Sequence, residues 1–301
     1  MSGAAGKSKG SQMTSAAYAA VAVALILIAA KAMVWGVNGS VVILSSLVDS
    51  TLDLMASLLN LFAIRQALVP ADREHRFGHG KAEALAGLAQ SVIIAGSAVY
   101  IIVEAVGHLL DPRPLPQGGL AIAVMAGSIV LTGLLVLYQR RVIRRTGSVA
   151  VSADSLHYLS DLAANVSVIA ALVLASLGVT WADPVFAIGI AIFILMSSRR
   201  IFASSLDIVL DRELPDADRE RIKAIVRADE RVIGLHDLKT RSAGPGRFIQ
   251  FHIELDPRMR LTEAHAVTED LQARIQAVFP DAEIIIHMDP FGLDEPRQVF
   301  E

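Results

Sequence analysis

The sequence predicts an α-helical membrane protein of six transmembrane helices followed by a small cytoplasmic α+β domain, and three observations carry that expectation. Of the 301 residues, 53% are hydrophobic and 19% charged, with a mean hydropathy of +0.52, which is too apolar for a soluble chain of this length. Charge is unevenly divided: residues 1–210 hold 14 Lys/Arg and 11 Asp/Glu, whereas residues 211–301 hold 13 and 19. The two regions answer to different solvents, with a boundary near Asp211. Apolar stretches of about 20 residues or more, the length a helix needs to cross a bilayer, recur six times before that boundary.

Residues 1–13 form a polar, cytoplasmic N-terminal segment with Lys7 and Lys9 ahead of the first apolar run. No small-residue cleavage site stands out, so that run reads as a retained span. The six segments cover roughly 15–35, 40–69, 81–110, 118–137, 150–177 and 184–203, within a transmembrane domain at 14–209. Gly and Pro punctuate the breaks between them, Gly147 included. Basic residues sort by side: Lys7, Lys9, Arg65, Arg73, Arg76, Lys81, Arg140, Arg141, Arg144 and Arg145 fall on the side of the N-terminus, against Arg113 in the opposite loops. The positive-inside rule then places the N-terminus, and after six spans the acidic tail, in the cytoplasm.

From about Pro215 the pattern reads helix, strand, strand, helix, strand. Residues 216–229 are polar, with Ile222, Ile225 and Val226 as the apolar stripe of a surface helix. Residues 232–241 and 248–256 are strand-like, with Gly244, Pro245 and Gly246 making a hairpin turn between them. An amphipathic helix covers 263–279, with Thr262 as its expected N-cap. A β-branched run at 282–288 is the last strand. This order suits helices on one face of an antiparallel sheet, in a domain at 210–291 with a tail at 292–301.

The chain has no cysteine, which excludes disulfides and thiolate metal sites and leaves His, Asp and Glu as metal ligands. Asp49 and Asp53 lie inside the second apolar segment, and His157 and Asp161 inside the fifth. A charged Asp at mid-helix costs roughly 2.5–3.5 kcal/mol even on the mild insertion scale. Each pair is spaced i, i+4, so both side chains share one helix face. Two such faces can close an oxygen-rich set with one nitrogen around a divalent metal ion. The other reading, polar contacts between packed helices, explains one such residue better than two matched pairs.

The loop after the second span offers Asp72, His75 and His79, with Gly78 and Gly80 freeing the backbone around the last of them. A basic loop with incidental histidines is the alternative there. In the tail, His236 falls on the first strand, His252 on the second, His265 on the second helix, and His287 ends the last strand near Asp289. Four of the eight histidines in one short domain, with a carboxylate able to bridge, favour a one- or two-metal site. Asp237 is excluded, because adjacent strand residues face opposite ways. His108 is read as an interface histidine.

The stretches VDSTLDLMASLLN, FGHGKAEALAGLAQS, ADSLHYLSD, VLDRELPD, GLHDLKTR, FIQFHIELD, EAHAVTEDL and IIIHMDP together resemble the cation diffusion facilitator family, and closely its bacterial zinc and ferrous-iron efflux branch. The resemblance implies a homodimer in the bacterial inner membrane, six helices per subunit, and a cytoplasmic domain of ferredoxin-like, metallochaperone-like fold. It implies antiport of metal for protons. It also implies a transport site at Asp49, Asp53, His157 and Asp161, a loop site at Asp72, His75 and His79, and a binuclear cytoplasmic site at His236, His252, His265, His287 and Asp289. Lys81 and Asp211 match a family ion pair that ties the membrane part to the hinge above the tail.

The expected function is therefore efflux of a divalent transition metal by alternating access: Zn2+ first, with Cd2+ and Fe2+ next and Co2+ or Mn2+ also compatible with the donors. The lipid bilayer and protons are expected partners, and nucleic acid is not. His157 is the expected proton exchanger, since an imidazole in water titrates near ~6.5 and binds metal only when neutral. Two other classes are a membrane-anchored metal sensor and an intramembrane metalloenzyme; the His-Glu-x-x-His pattern of the latter is absent.

Overall fold

The computed structural model describes residues 2–38, 41–110, 119–177, 181–244 and 246–292. The chain divides into two compact units, one of residues 10–206 and the other of residues from 207 onward grouped with those before Gly10.

The first unit is helical: α1 (Ser2–Asn38), α2 (Val41–Ala67), α3 (Lys81–Leu110), α4 (Gly119–Thr146), α5 (Val149–Ser176) and α6 (Ala182–Val209). Among the described residues, every one of these except α5 contains a stretch long and apolar enough to cross a membrane. The first half of α5 carries Asp154, His157 and Asp161.

Such a helix must be wrapped by others, and α5 is. Ala150 and Val151 pack with Met13, Ala16 and Ala17 of α1, Leu61 and Ile64 of α2 and Val142 of α4. Leu156 joins Ile94 and Ala98 of α3 and Ala191 and Ile194 of α6. Tyr158 joins Ala20 of α1 with Leu135 and Val136 of α4. By contrast, α1 turns Ala16, Ala17, Ala20 and Ala24 inward and leaves Leu25, Ile26, Met33 and Val37 exposed, as a hydrocarbon-facing helix with a small-residue contact stripe does. The crossing of α3 and α6 is close enough that a Cβ on Gly87 would lie 2.5 Å from Ser205 Oγ.

The second unit comprises α7 (Asp216–Arg227), β1 (Gly234–Ala243), β2 (Gly246–Leu255), α8 (Leu261–Val278) and β3 (Ala282–Pro290). The sheet order is β1-β2-β3, with β1 antiparallel to β2 and β3 parallel to β2. The expected antiparallel sheet is therefore corrected to a mixed one: α8 is a crossover that returns the chain to the starting end of β2, and a parallel neighbour needs such a connection. Ile249, Phe251, Ile253 and Leu255 of β2 alternate onto the face covered by Ile222 and Val226 of α7 and Val267, Leu271 and Ile275 of α8. The N-cap of α8 is Arg260 rather than Thr262; the Glu263 carboxylate reaches back to accept from the Arg260 backbone N–H at 2.9 Å, satisfying an otherwise orphaned donor. Pro245 of the expected turn lies outside the described residues.

Buried Asp229 follows α7 and accepts hydrogen bonds from Arg231, at 2.8 Å from Nε and 2.6 Å from a terminal nitrogen, and from Arg274 of α8. The Arg231 guanidinium, with its backbone N–H and then Arg274, holds the Asp229 carboxyl well below the usual carboxylate range. A carboxylate depressed in the folded state contributes stability that is complete above its unfolded value near ~3.9 and is lost as pH falls through the folded value. Asp229→Asn should therefore destabilise the isolated unit from residue 207 onward by about 1–2 kcal/mol at pH 7, the arginines being half-exposed. The gap to wild type should narrow between pH 5 and pH 3 in urea unfolding followed by circular dichroism.

Candidate metal centres

Within the membrane unit, His157 Nε2 lies 2.9 Å from Asp53 Oδ1 and 3.9 Å from Asp161 Oδ2. Asp53, His157 and Asp161 can each offer one ligand atom within 4.8 Å of the others. The cluster bridges α2 and α5, as the matched i, i+4 faces require. Asp49, one turn before Asp53 on α2, is exposed and stays outside the cluster. The structure thus gathers three of the four expected residues. Asp161 Oδ2 is buried with no hydrogen-bond partner among the described residues, an uncommon state for such an atom and one a cation relieves.

Two further ionisable residues of this unit escaped the sequence reading. Asp154, buried one turn before His157, accepts from Gln139 Nε2 at 2.6 Å and from Ser57 Oγ at 3.4 Å. Ser57 lies 2.8 Å from the Tyr158 hydroxyl, which donates to the Ala20 carbonyl at 3.3 Å. This network joins α1, α2, α4 and α5 directly behind the candidate ligands. Lys31 of α1 donates from Nζ to Ser50 Oγ at 2.7 Å and to the Ser46 carbonyl at 3.1 Å, both on α2. The available signal for both was an ionisable residue inside an apolar run.

In the loop, Asp72 Oδ1 lies 3.4 Å from His75 Nδ1, and Asp72 Oδ2 lies 3.4 Å from His79 Nε2. The two rings are 4.5 Å apart, and the three residues form one possible ligand group. The backbone N–H groups of His75 and Glu74 donate to Asp72 Oδ1 at 2.6 and 2.9 Å, and they hold its carboxyl below the usual carboxylate range. Gly78 has φ 77°, a left-handed turn that lets His79 fold back towards Asp72. His79 Nδ1 is buried without a hydrogen-bond partner among the described residues.

The cytoplasmic cluster is a product of sheet register. His236 pairs with His252, and His252 pairs with His287, so three histidines form a row across the sheet on the face opposite Phe251 and Ile253. Buried Asp289 sits among them: Oδ2 lies 2.9 Å from His252 Nδ1 and 3.3 Å from His236 Nε2, while Oδ1 lies 3.1 Å from His287 Nε2. One carboxylate oxygen thus serves two imidazoles and the other a third, the geometry of a bridging ligand. His265 stands apart on α8, exposed, with Glu269 at 3.9 Å. His236 Nδ1 is buried and lacks a hydrogen-bond partner among the described residues, and Glu254, unforeseen from sequence, lies 3.7 Å from it. The Glu254 side chain covers Gly234, where a Cβ would meet its carboxylate at 2.5 Å.

The β1–β2 register shifts between His236 and Lys239, and Asp237 adopts φ 49° inside this bulge. Bulges re-aim side chains near functional sites, and this one follows immediately after His236. Asp237 itself joins no ligand group. His108 pairs with Glu104 at 3.5 Å along one turn of α3. Lys81 opens α3, and Asp211 takes the left-handed position after α6, with φ 57°, accepting from Arg241 at 3.1 Å.

Residues 17–210 match the cation efflux transmembrane domain, and residues 214–291 match the cytoplasmic domain of cation efflux proteins. The chain is 48% identical over 283 residues to the cation-efflux pump FieF of Shewanella oneidensis, spanning 94% of this chain and 96% of that protein. It is 46% identical over 292 residues to the protein of the same name from Escherichia fergusonii, spanning 97% of each. The solved metal-bound C-terminal domain of the CzcD transporter from Thermotoga maritima is 28% identical, covering 26% of this chain and 93% of that one with a TM-score of 0.26.

If the bulge aims His236, its backbone tolerance should be visible. Asp237→Ile places a β-branched residue at positive φ and should cost about 1–2 kcal/mol, with weaker zinc binding to the cytoplasmic unit in calorimetry. Asp237→Gly should preserve both. Unchanged zinc affinity in the Ile variant would separate the bulge from the site.

Proposed function

This chain belongs to the cation efflux family, and we propose that it exports divalent transition-metal ions through the Asp53, His157 and Asp161 cluster, with Asp49 completing the set as the helices move. Membership makes it a membrane transporter rather than a catalyst. The finer reading is Zn2+ as the principal substrate, Cd2+ and Fe2+ as further ones, and protons as the counter-ion. The observation that carries it is the His157–Asp53 contact at 2.9 Å between two apolar helices, beside the orphaned Asp161 Oδ2. Carboxylates and an imidazole suit a divalent ion that must bind and leave. A proton on His157 or on a carboxylate removes a ligand, so metal and proton compete for the same atoms. Alternating access would then couple release of the metal to uptake of protons from the opposite side.

The same reading extends to topology and assembly. Six spans with both termini in the bacterial cytoplasm follow from the distribution of arginine and lysine. The His236, His252, His287 and Asp289 row would hold one or two regulatory metal ions, with His265 as an added ligand, in a homodimer that joins through the cytoplasmic units. Metal there would supply a cross-link between side chains, and its buried orphaned nitrogen on His236 is the fit that supports it. Asp72, His75 and His79 would hold a further ion in the loop.

Purified protein in sealed vesicles tests the transport reading. Zinc should accumulate against an opposing pH gradient, and Asp53→Ala or His157→Ala should reduce the initial rate by about 100-fold or more, above the ~10–100-fold typical of outer-shell partners. Full transport by Asp53→Ala would overturn the site. Flux indifferent to the pH gradient would overturn proton antiport, and flux absent from the unaltered protein would favour the anchored sensor.

A further inference from the structure

We infer that Lys31 is the fixed counter-charge of the intramembrane site, a positioning residue that weakens the site's hold on its ion so that the ion can leave; the inference rests on the transport reading above. Lysines near helix ends usually extend along the helix to reach water, and Lys31 lies seven residues before Asn38, the last residue of α1. Its ammonium does something else. It turns onto α2, where it donates to Ser50 Oγ at 2.7 Å and to the Ser46 carbonyl at 3.1 Å. Ser46 and Ser50 stand at −3 and +1 from Asp49, and Ser50 is three residues before Asp53. The charge is therefore held on the carboxylate-bearing helix through neutral oxygens, which leaves the carboxylates their own oxygens for a ligand. The acidic groups within electrostatic reach of it are Asp53, Asp49 and Asp161, the three expected carboxylate ligands.

Electroneutrality gives that placement its meaning. Net charge is expensive in a low-dielectric, lipid-surrounded bundle. Counted over the four expected ligands, the ion and Lys31, three ionised carboxylates, a neutral imidazole, a divalent cation and one ammonium sum to zero. Without the ammonium, the loaded site would carry a net negative charge and would bind its ion too strongly. A cation tethered nearby also repels the bound ion directly, with little screening by solvent. Lys31 thus trades affinity for release and matches the site to a divalent load.

A role as a mere pin between α1 and α2 makes the opposite prediction, because a loosened site binds less well. The test is initial-rate zinc and cadmium uptake by the full-length protein in proteoliposomes at fixed pH, with Lys31→Gln, Lys31→Met and Lys31→Arg. The counter-charge role expects KM to fall by at least about threefold in the Gln and Met variants, with kcat falling by a similar factor as release slows. The Arg variant, which keeps the charge, should stay within about twofold of wild type. The Met variant suits an apolar helix and guards against a folding failure of the Gln variant. An unchanged or raised KM in the neutral variants, or a shift of the Arg variant alongside them, would overturn the inference. Asp53→Ala measured in parallel reports the underlying reading separately: normal transport by that variant would mean the site itself is misplaced, whatever Lys31 does.

Discussion

An ionisable side chain carried into an apolar helix has to meet a partner there, and the 2.9 Å approach of His157 to Asp53 is where α2 and α5 meet that requirement. Much of the membrane unit can be read as its consequence. The polar first half of α5 must be covered on all sides, so Ala150, Leu156 and Tyr158 enter three separate clusters with α1, α2, α3, α4 and α6. Coverage at that density needs small neighbours, which the alanine face of α1 and Gly87 of α3 supply. Behind the ligands, Asp154 is enclosed by Gln139, Ser57 and, through Ser57, Tyr158. Those bonds lock the rotation of α5 and so decide where His157 points.

The three clusters share a chemical pattern although they stand on different local structures. Each sets at least one carboxylate against at least one imidazole, and each contains a buried oxygen or nitrogen with no hydrogen-bond partner among the described residues: Asp161 Oδ2, His79 Nδ1 and His236 Nδ1. Buried polar atoms are nearly always partnered, so the coincidence of an orphan with each donor set favours cation binding over simple packing. The supports differ in stiffness. Packed helices hold the first cluster, a sheet register holds the third, and the second depends on Asp72 gripping the backbone N–H groups of Glu74 and His75 in an exposed loop.

Much of this was legible in the residue order because its causes are local. The i, i+4 spacing of Asp49 with Asp53 and of His157 with Asp161 announces shared helix faces whatever those helices pack against. The apolar lengths announce spans, and alternation in 248–256 announces a half-buried strand. Local signals also misled. Thr262 has the chemistry of an N-cap, yet the chain enters α8 two residues earlier, with Glu263 bonding back to Arg260. The β-branched run at 282–288 declares a strand but not its direction, and only the crossover through α8 makes β3 parallel to β2.

Residue order alone settles the donor chemistry and the solvent of each half: oxygen and nitrogen ligands in a chain without cysteine, apolar helices first and an acidic α+β unit after them. Packing in three dimensions selects which donors meet. It drew Asp53, His157 and Asp161 together and left Asp49 outside, and it aligned His236, His252 and His287 on Asp289 while leaving His265 on α8. It also turned Lys31 onto α2 and set Glu254 beside His236. The difference is one of range. Helix faces and strand alternation follow from bonds a few residues apart, whereas the rotation of α5 against α2, the bulge at Asp237 and the direction of β3 depend on contacts between segments far apart in the chain, where packing and desolvation select one arrangement among many.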